Sequence, residues 1–187
     1  MFRAIANVLI AAALGIGSQF NLSAVAGETA TTAIRAVPSA PCDTCLLFVN
    51  EKIGRFNNLH NPLYTLKAYK NGQLIYTFDA VAGRWNTQTR DRHRGGTEAP
   101  LPDGSYQVAS RSVPGTISEV GGKFLPIHPL FQTGRTALGI HYDPNYNKPN
   151  GEDGTSGCIG LTNQADFEQI LNFIKLYHPQ TLIVDLQ

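Results

Sequence analysis

A histidine and a cysteine in the second half of the chain have the residue types that acyl-transfer chemistry requires. His141 ends a short apolar run, and Cys158 follows 17 positions later between Gly157 and Ile159. The segment between them is rich in Pro, Asn, Gly and Asp, which indicates a long loop, and long loops are often functional. An imidazole beside a thiol can take its proton and create the thiolate that acts as the nucleophile. The pair therefore defines a candidate nucleophile, Cys158, and a candidate base, His141.

The residues just before the cysteine suit a site that must accept developing negative charge. Gly157 allows a substrate to approach the backbone closely, because glycine carries no side chain. Backbone N–H groups around Gly157 and Cys158 would then receive the oxyanion formed on attack. Ser156 offers a hydrogen bond but cannot titrate. We therefore expect Gly157 and Ser156 to support the site.

The wider pattern resembles the L,D-transpeptidase catalytic domain (YkuD-like) family. Residues 155–161 read Thr-Ser-Gly-Cys-Ile-Gly-Leu and follow His141. The family's signature is a His, a loop, and then Ser/Thr-His-Gly-Cys-hydrophobic-Arg-hydrophobic. Upstream, residues 81–84 and 98–108 look like the family's glycine turn and its Thr-Pro-x-Gly-x-Tyr-x-Val stretch. The similarity covers residues 62–187.

Two positions depart from this signature. The family's second His is Ser156 here, and the Arg that follows the cysteine by two positions is Gly160. The missing Arg is a fixed cation beside the nucleophile, so its absence bears on the identity of the donor substrate. A divergent branch of the family, which includes exported toxins that attack cell walls, is similar in having Ser/Thr-x-Gly-Cys-Ile-Gly. We therefore predict a variant enzyme.

The resemblance implies a mechanism on peptidoglycan. Cys158 attacks the carbonyl of the third residue of a stem peptide, expels the terminal D-amino acid and leaves a thioester. An amine of a neighbouring stem resolves the thioester as a cross-link, or water resolves it as in an L,D-carboxypeptidase. No metal or cofactor is needed. The residues expected to line the substrate cleft are Arg84, His128, Tyr142 and Thr155.

Two other functions stay open. The departures at Ser156 and Gly160 also fit a non-catalytic peptidoglycan-binding or scaffold module with the same fold. Another class of cysteine hydrolase places its Cys before its His, and His178 is the one histidine downstream of Cys158. The chain order therefore argues against that class.

Metal and nucleic acid find little support as partners. Asp143 begins a calcium-like Asp-x-Asn-x-Asn pattern, but Lys148 stands where glycine is needed and Gly154 where the final Glu belongs. The formal net charge is +1, and no long basic run exists, so the electrostatic support for nucleic-acid binding is missing. We predict neither a metal site nor a nucleic-acid interface.

Alternating residues predict a mostly β domain with one or two helices (α+β). Residues 64–70 and 73–78 should pair as a hairpin around Asn71-Gly72, since both turn residues tolerate positive φ. A third strand is expected over 78–82. The resemblance implies a YkuD-like mixed β-sheet sandwich or barrel.

The period of the apolar residues changes near the C-terminus. Thr162 or Asn163 should cap a helix that Pro179 ends, and residues 181–186 read as a buried final strand. One face of that helix is apolar. It carries Phe167, Ile170, Leu171 and Ile174.

The first residues indicate export. Residues 1–26 have the charged start, apolar stretch and small-residue end of a signal peptide, and the apolar part is shorter than the roughly 20 residues of a spanning helix. Residues 27–45 suit a flexible linker, and 46–187 form the catalytic domain. We therefore expect a periplasmic or cell-wall-associated monomer that is not stably inserted in a membrane once the signal peptide is cleaved.

The linker holds two of the three cysteines. Cys42 and Cys45 are close enough in sequence for a local disulfide, which an exported protein favours. Idle thiols, a redox pair and half of a zinc site are the alternatives. A disulfide would leave Cys158 as a lone thiol, which suggests that it has a function.

Overall fold

The computed structural model describes residues 40–51 and 54–187. The predicted signal peptide, 1–26, and most of the predicted linker lie outside these residues. The elements in chain order are β1 (Cys45–Val49), β2 (Tyr64–Lys70), β3 (Gln73–Val81), β4 (Gly104–Val108), β5 (Val113–Pro114), a 3₁₀ helix (Ser118–Val120), β6 (Lys123–Pro129), β7 (Gly139–Tyr142), β8 (Ile159–Leu161), α1 (Gln164–Tyr177) and β9 (Thr181–Asp185).

Eight of the strands close into a barrel. Their order is β4-β9-β1-β2-β3-β8-β7-β6, and β6 pairs in turn with β4. The short β5 adds to β6 outside this ring. Most neighbours are antiparallel, but β1 pairs in parallel with β9 and β7 in parallel with β8. The predicted mostly β fold with one helix is confirmed.

The predicted hairpin forms β2 and β3. Lys70 pairs with Gln73, and the two turn residues between them have positive φ, 50° at Asn71 and 72° at Gly72. Those values match a tight primed turn, whose twist agrees with that of the flanking strands. The hairpin supplies β3, whose far end reaches the nucleophile loop.

The separate third strand predicted over 78–82 is wrong. A single strand runs from Gln73 to Val81 without a break. No turn residue interrupts it at Phe78, and the buried Phe78 and Ala80 keep facing the core. The alternation therefore continues past the point where a break was expected.

The predicted helix is confirmed as α1. The side chain of Asn163 accepts hydrogen bonds from the N–H groups of Ala165 (2.7 Å) and Asp166 (3.2 Å), so it is the N-cap. His178 adopts a left-handed conformation at the C-terminal end, just before Pro179. The helix packs against β2, β7 and β8.

The core joins the barrel interior to the buried face of α1. Its largest fully buried side chains include Phe48, Tyr106, Ile140, Ile159, Ile170 and Phe173. None of the helices among residues 40–51 and 54–187 has the length and apolarity that crossing a bilayer requires.

Candidate active site

The parallel pairing of β7 and β8 brings the predicted catalytic pair together. His141 lies beside Gly160 in the register, and Cys158 comes two positions before Gly160. Cys158 lies just before β8, and extending the alternation of that strand back to it places its side chain on the same face as that of His141. Parallel strands need a long connection, which explains the loop between the two residues.

The His141 ring is held as a neutral base. Its side chain is fully buried, and Nδ1 lies 2.9 Å from the carbonyl oxygen of Tyr142. A carbonyl can only accept, so Nδ1 carries the hydrogen and Nε2 keeps the lone pair. Nε2 has no hydrogen-bond partner among the described residues. Burial lowers the pKa of His141 and outweighs the Tyr142 carbonyl and the Glu119 carboxylate, which both raise it.

Cys158 is the free cysteine of the chain, because Cys42 and Cys45 form a disulfide. Its Sγ donates to the carbonyl oxygen of Ala137 at 3.7 Å, and 8% of the residue is exposed. Burial raises the pKa of Cys158 to about 12, opposed by a hydrogen bond from the backbone of Gly139. The thiol is therefore protonated at rest.

Two charged side chains act on the thiol in opposite directions. The carboxylate of Glu119 raises the pKa of Cys158, and the guanidinium of Arg135 lowers it. Neither residue has a local sequence pattern that marks it as part of a site. Both lie in the segment between β5 and β7, far in sequence from Cys158.

Thr155 organises the turn that holds the nucleophile. Its hydroxyl donates to the carbonyl oxygen of Cys158 (2.7 Å) and accepts from the N–H groups of Gly83 (3.0 Å) and Gly157 (3.2 Å). These bonds join the segment after β3 to the residues before β8. The side chain of Thr155 is fully buried between them. The expected cleft residue Thr155 thus lies behind the turn and fixes its shape.

Glu119 hydrogen-bonds Ser156, which occupies the position of the second His in the family signature. Its Oε1 accepts from the N–H of Ser156 (2.7 Å), and its Oε2 accepts from the Ser156 hydroxyl (2.8 Å). Arg84 lies 3.8 Å from the same carboxylate and 3.3 Å from Glu98. The predicted supporting residue Ser156 therefore tethers the 3₁₀ helix to the nucleophile turn.

The structure explains the glycine that replaces the signature's Arg. A Cβ on Gly160 would lie 2.7 Å from Thr155 Cγ2 and 3.1 Å from Asp143 Cβ, so no side chain fits. Asp143 is itself fully buried, and its Oδ1 accepts from the N–H of Asn145 at 2.8 Å. Burial raises the pKa of Asp143 to about 7.

A cavity of about 580 Å³ opens beside the nucleophile. Cys158 and Ser156 line it, whereas the His141 ring is sealed from solvent. Its polar wall includes Glu98, Glu119 and Arg135, and its apolar wall includes Val113, Ile117 and Leu138. A substrate in this cavity would meet the thiol directly.

Of the three other residues expected in the cleft, two line different hollows and one lies at the edge of the site. His128 is exposed on β6, pairs with Gln107 and lines a different hollow. Tyr142 lines a third hollow near α1. Arg84 lies at the edge of the site through its contacts with Glu98 and Glu119.

Comparison with protein families finds a match for most of the residues that the structure describes. The family model for the L,D-transpeptidase catalytic domain, YkuD, matches residues 58–183. The chain belongs to the YkuD family. No curated protein matches the chain.

Two solved structures share the YkuD fold with this chain. The helical cell shape determining protein Pgp2 from Campylobacter jejuni superposes with a TM-score of 0.51 at 15% identity, covering 78% of this chain and 49% of that one. The K307A mutant of Pgp2 gives the same TM-score at 16% identity, covering 78% and 48% of the respective chains. This YkuD chain thus spans about half the length of both.

Proposed function

We propose that this chain is a peptidoglycan-acting cysteine acyltransferase, an L,D-transpeptidase or L,D-carboxypeptidase. The observation that carries the proposal is the neutral imidazole of His141. Its unpartnered Nε2 is on the same sheet face as a thiol that opens onto a cavity. A weak nucleophile activated by an adjacent base is the usual arrangement for covalent acyl transfer.

The proposed reaction begins from a neutral pair. Nε2 of His141 takes the proton of Cys158 as the sulfur attacks the carbonyl carbon of the third stem residue. The tetrahedral intermediate collapses, the bond to the terminal D-amino acid breaks, and His141 returns the proton to the leaving amine. The thioester on Cys158 is then attacked by an amine, which gives a cross-link, or by water.

Two groups proposed to receive the oxyanion have partners at rest. The N–H of Gly157 donates to Thr155, and the N–H of Ser156 donates to Glu119. Substrate binding would have to exchange at least one of these bonds for a bond to the oxyanion. Gly157 and Ser156 therefore stay in the proposal as supporting residues that rearrange.

Mass spectrometry of stem-peptide products tests the activity. The mature protein should remove the terminal D-residue from tetrapeptide stems or form cross-linked dimers, and Cys158→Ala should abolish both products. His141→Gln should lower the rate by about 10²-fold or more, because the general base is lost. Full activity in Cys158→Ala would rule out the mechanism.

The alternative is a non-catalytic peptidoglycan-binding or scaffold module. The carboxylate of Glu119 beside Ser156, and a thiol whose pKa burial raises, favour it. Binding to purified sacculi, together with unchanged stem peptides after long incubation, would support this function instead.

Export to the periplasm or cell wall is part of the proposal. It rests on the signal-like sequence of residues 1–26 and on the cell-wall substrate. N-terminal sequencing of the protein recovered from the cell envelope should begin at Gly27. Recovery with Met1 intact in the cytoplasm would contradict export.

A further inference from the structure

Arg135 is a buried cation whose hydrogen-bond partners are neutral. Its Nη1 donates to the carbonyl oxygens of Ala99 (3.0 Å) and Arg92 (3.2 Å), and its Nη2 donates to that of Ser156 (3.1 Å). The residue is 6% exposed. No carboxylate of the described residues forms an ion pair with it, unlike the neighbouring Arg92, which pairs with Asp103. A buried charge without a counter-ion is costly, so this position favours an anion nearby.

The guanidinium lies against the backbone of the nucleophile turn. A Cβ on Gly157 would be 1.8 Å from Nη2 of Arg135, so the cation occupies the space a side chain would fill. Gly157 directly precedes Cys158, and both Arg135 and Cys158 line the cavity. Of the two groups in the proposed reaction, the thiol is the one whose charge acts on Arg135.

A negative charge on Sγ of Cys158 would provide a counter-ion for the guanidinium of Arg135. When the proton passes from Sγ to Nε2 of His141, the sulfur becomes an anion beside a fixed guanidinium. Arg135 then opposes the burial of the thiolate and the repulsion from Glu119, which together hold the pKa of the resting thiol above its usual range. The three carbonyls hold the guanidinium in place, so little reorganisation is needed when the charge appears.

We propose that Arg135 is a positioning residue that holds a fixed positive charge beside Cys158 and stabilises its thiolate. The inference rests on the proposed function and adds to it a residue that favours the thiolate form of Cys158. It places the cation in the segment between β6 and β7, since the strand that follows the cysteine has no room for one at Gly160.

Alkylation of the full folded protein by iodoacetamide, measured by mass spectrometry, tests the effect of the Arg135 charge on Cys158 without any peptidoglycan. Cys158 is the thiol that reacts, because Cys42 and Cys45 are disulfide-bonded. Arg135→Gln should lower the second-order rate constant at pH 8 by about tenfold, equal to a displacement of the pH profile by about one unit. A shorter side chain opens the cavity, so an effect on access alone would raise the rate.

Two further variants separate charge from structure. Arg135→Lys keeps the positive charge but cannot reproduce the fork of guanidinium hydrogen bonds, so it should react within about threefold of the wild type, whether or not Arg135→Gln folds. Arg92→Gln removes a neighbouring cation that is paired with Asp103, and its rate should also stay unchanged. The proposal is overturned if folded Arg135→Gln keeps the wild-type profile, or if folded Arg135→Lys slows by tenfold.

The two proposals fail separately. If the wild type shows no activity on stem peptides but Arg135→Gln still slows alkylation, the enzymatic function is refuted and the electrostatic role of Arg135 stands. Stem-peptide activity that depends on Cys158, with alkylation indifferent to Arg135, would do the reverse.

Discussion

At the candidate pair of His141 and Cys158, burial acts on both residues and favours one protonation state. It lowers the pKa of His141 and raises that of Cys158, so both shifts favour a neutral imidazole beside a neutral thiol. The resting protein is therefore not a preformed thiolate–imidazolium pair. In the proposed reaction, proton transfer therefore accompanies attack, and the groups that stabilise the anion act at that moment.

A second buried residue gives the protein a pH-dependent stability. The pKa of Asp143 is raised to about 7, mainly by burial, from about 3.9 in an unfolded chain. The folded state therefore binds a proton that the unfolded state releases, and stability falls as pH rises from about 4 to 7. Asp143→Asn removes this dependence.

Urea unfolding at several pH values measures the effect. The free energy of unfolding of the variant should rise relative to that of the wild type between pH 4 and 8. At about 1.4 kcal/mol per pKa unit, the rise is at most about 4 kcal/mol. His141 has a lowered pKa and destabilises both proteins equally at acid pH, so it cancels in the comparison. The exposed Asp185→Asn is the control, and parallel curves for Asp143→Asn would contradict the assignment.

The sequence marks the candidate reacting residues but not the residues that act on them. His141 and Cys158 are recognisable because their types and flanking glycines form a local pattern. Glu119 and Arg135 have no such pattern, since each reaches the nucleophile through the packing of segments far apart in sequence. Thr155 was predicted to contact substrate, but its hydroxyl bonds to the backbone.

At the scale of elements, the segment from β5 to β6 forms one wall of the cavity. It carries Val113 and Ile117, which are exposed, and Glu119, whose carboxylate ties the 3₁₀ helix to Ser156. The wall therefore provides an apolar surface for a substrate and one of the two charges that act on the thiol.

Glu119→Gln should make Cys158 more reactive. The amide oxygen still accepts from the N–H of Ser156, but the negative charge that raises the pKa of the thiol is gone. We expect alkylation at pH 8 to be about threefold to tenfold faster, with the melting temperature unchanged. Glu98→Gln lines the same cavity and serves as the matched control, and equal gains in both variants would exclude the charge effect.

The sequence predicts which helices and strands form better than it predicts where they begin and end. Asn71-Gly72 and Asn163 act locally, so the hairpin turn and the helix cap could be predicted. The continuous strand past Phe78 could not be, because its length is set by partners on both sides: β2 along the strand and β8 at its end. Pairings of this kind join distant segments.

Across the whole molecule, the last strand closes the barrel. β9 lies between β1 and β4, in parallel with the first and antiparallel to the second. Its inward side chains are Leu182 and Val184, both buried, and Ile183 between them is only partly covered. The last strand thus links β1 to β4 within the barrel.

Alanine substitutions along β9 should show this alternation. Leu182→Ala should cost about 2–5 kcal/mol of unfolding free energy, because it leaves a cavity in the core. Ile183→Ala is the matched control and should cost clearly less. Denaturant titration of both variants measures the difference, and equal losses would contradict the inward orientation of Leu182.

The parallel register of β7 and β8 separates the geometry of the reaction from the loop that joins the two strands. The tip of that loop, residues 147–152, is exposed, while His141 pairs with Gly160 in β8, two residues after Cys158. Substitutions at this tip should therefore leave the pairing of β7 with β8 unchanged.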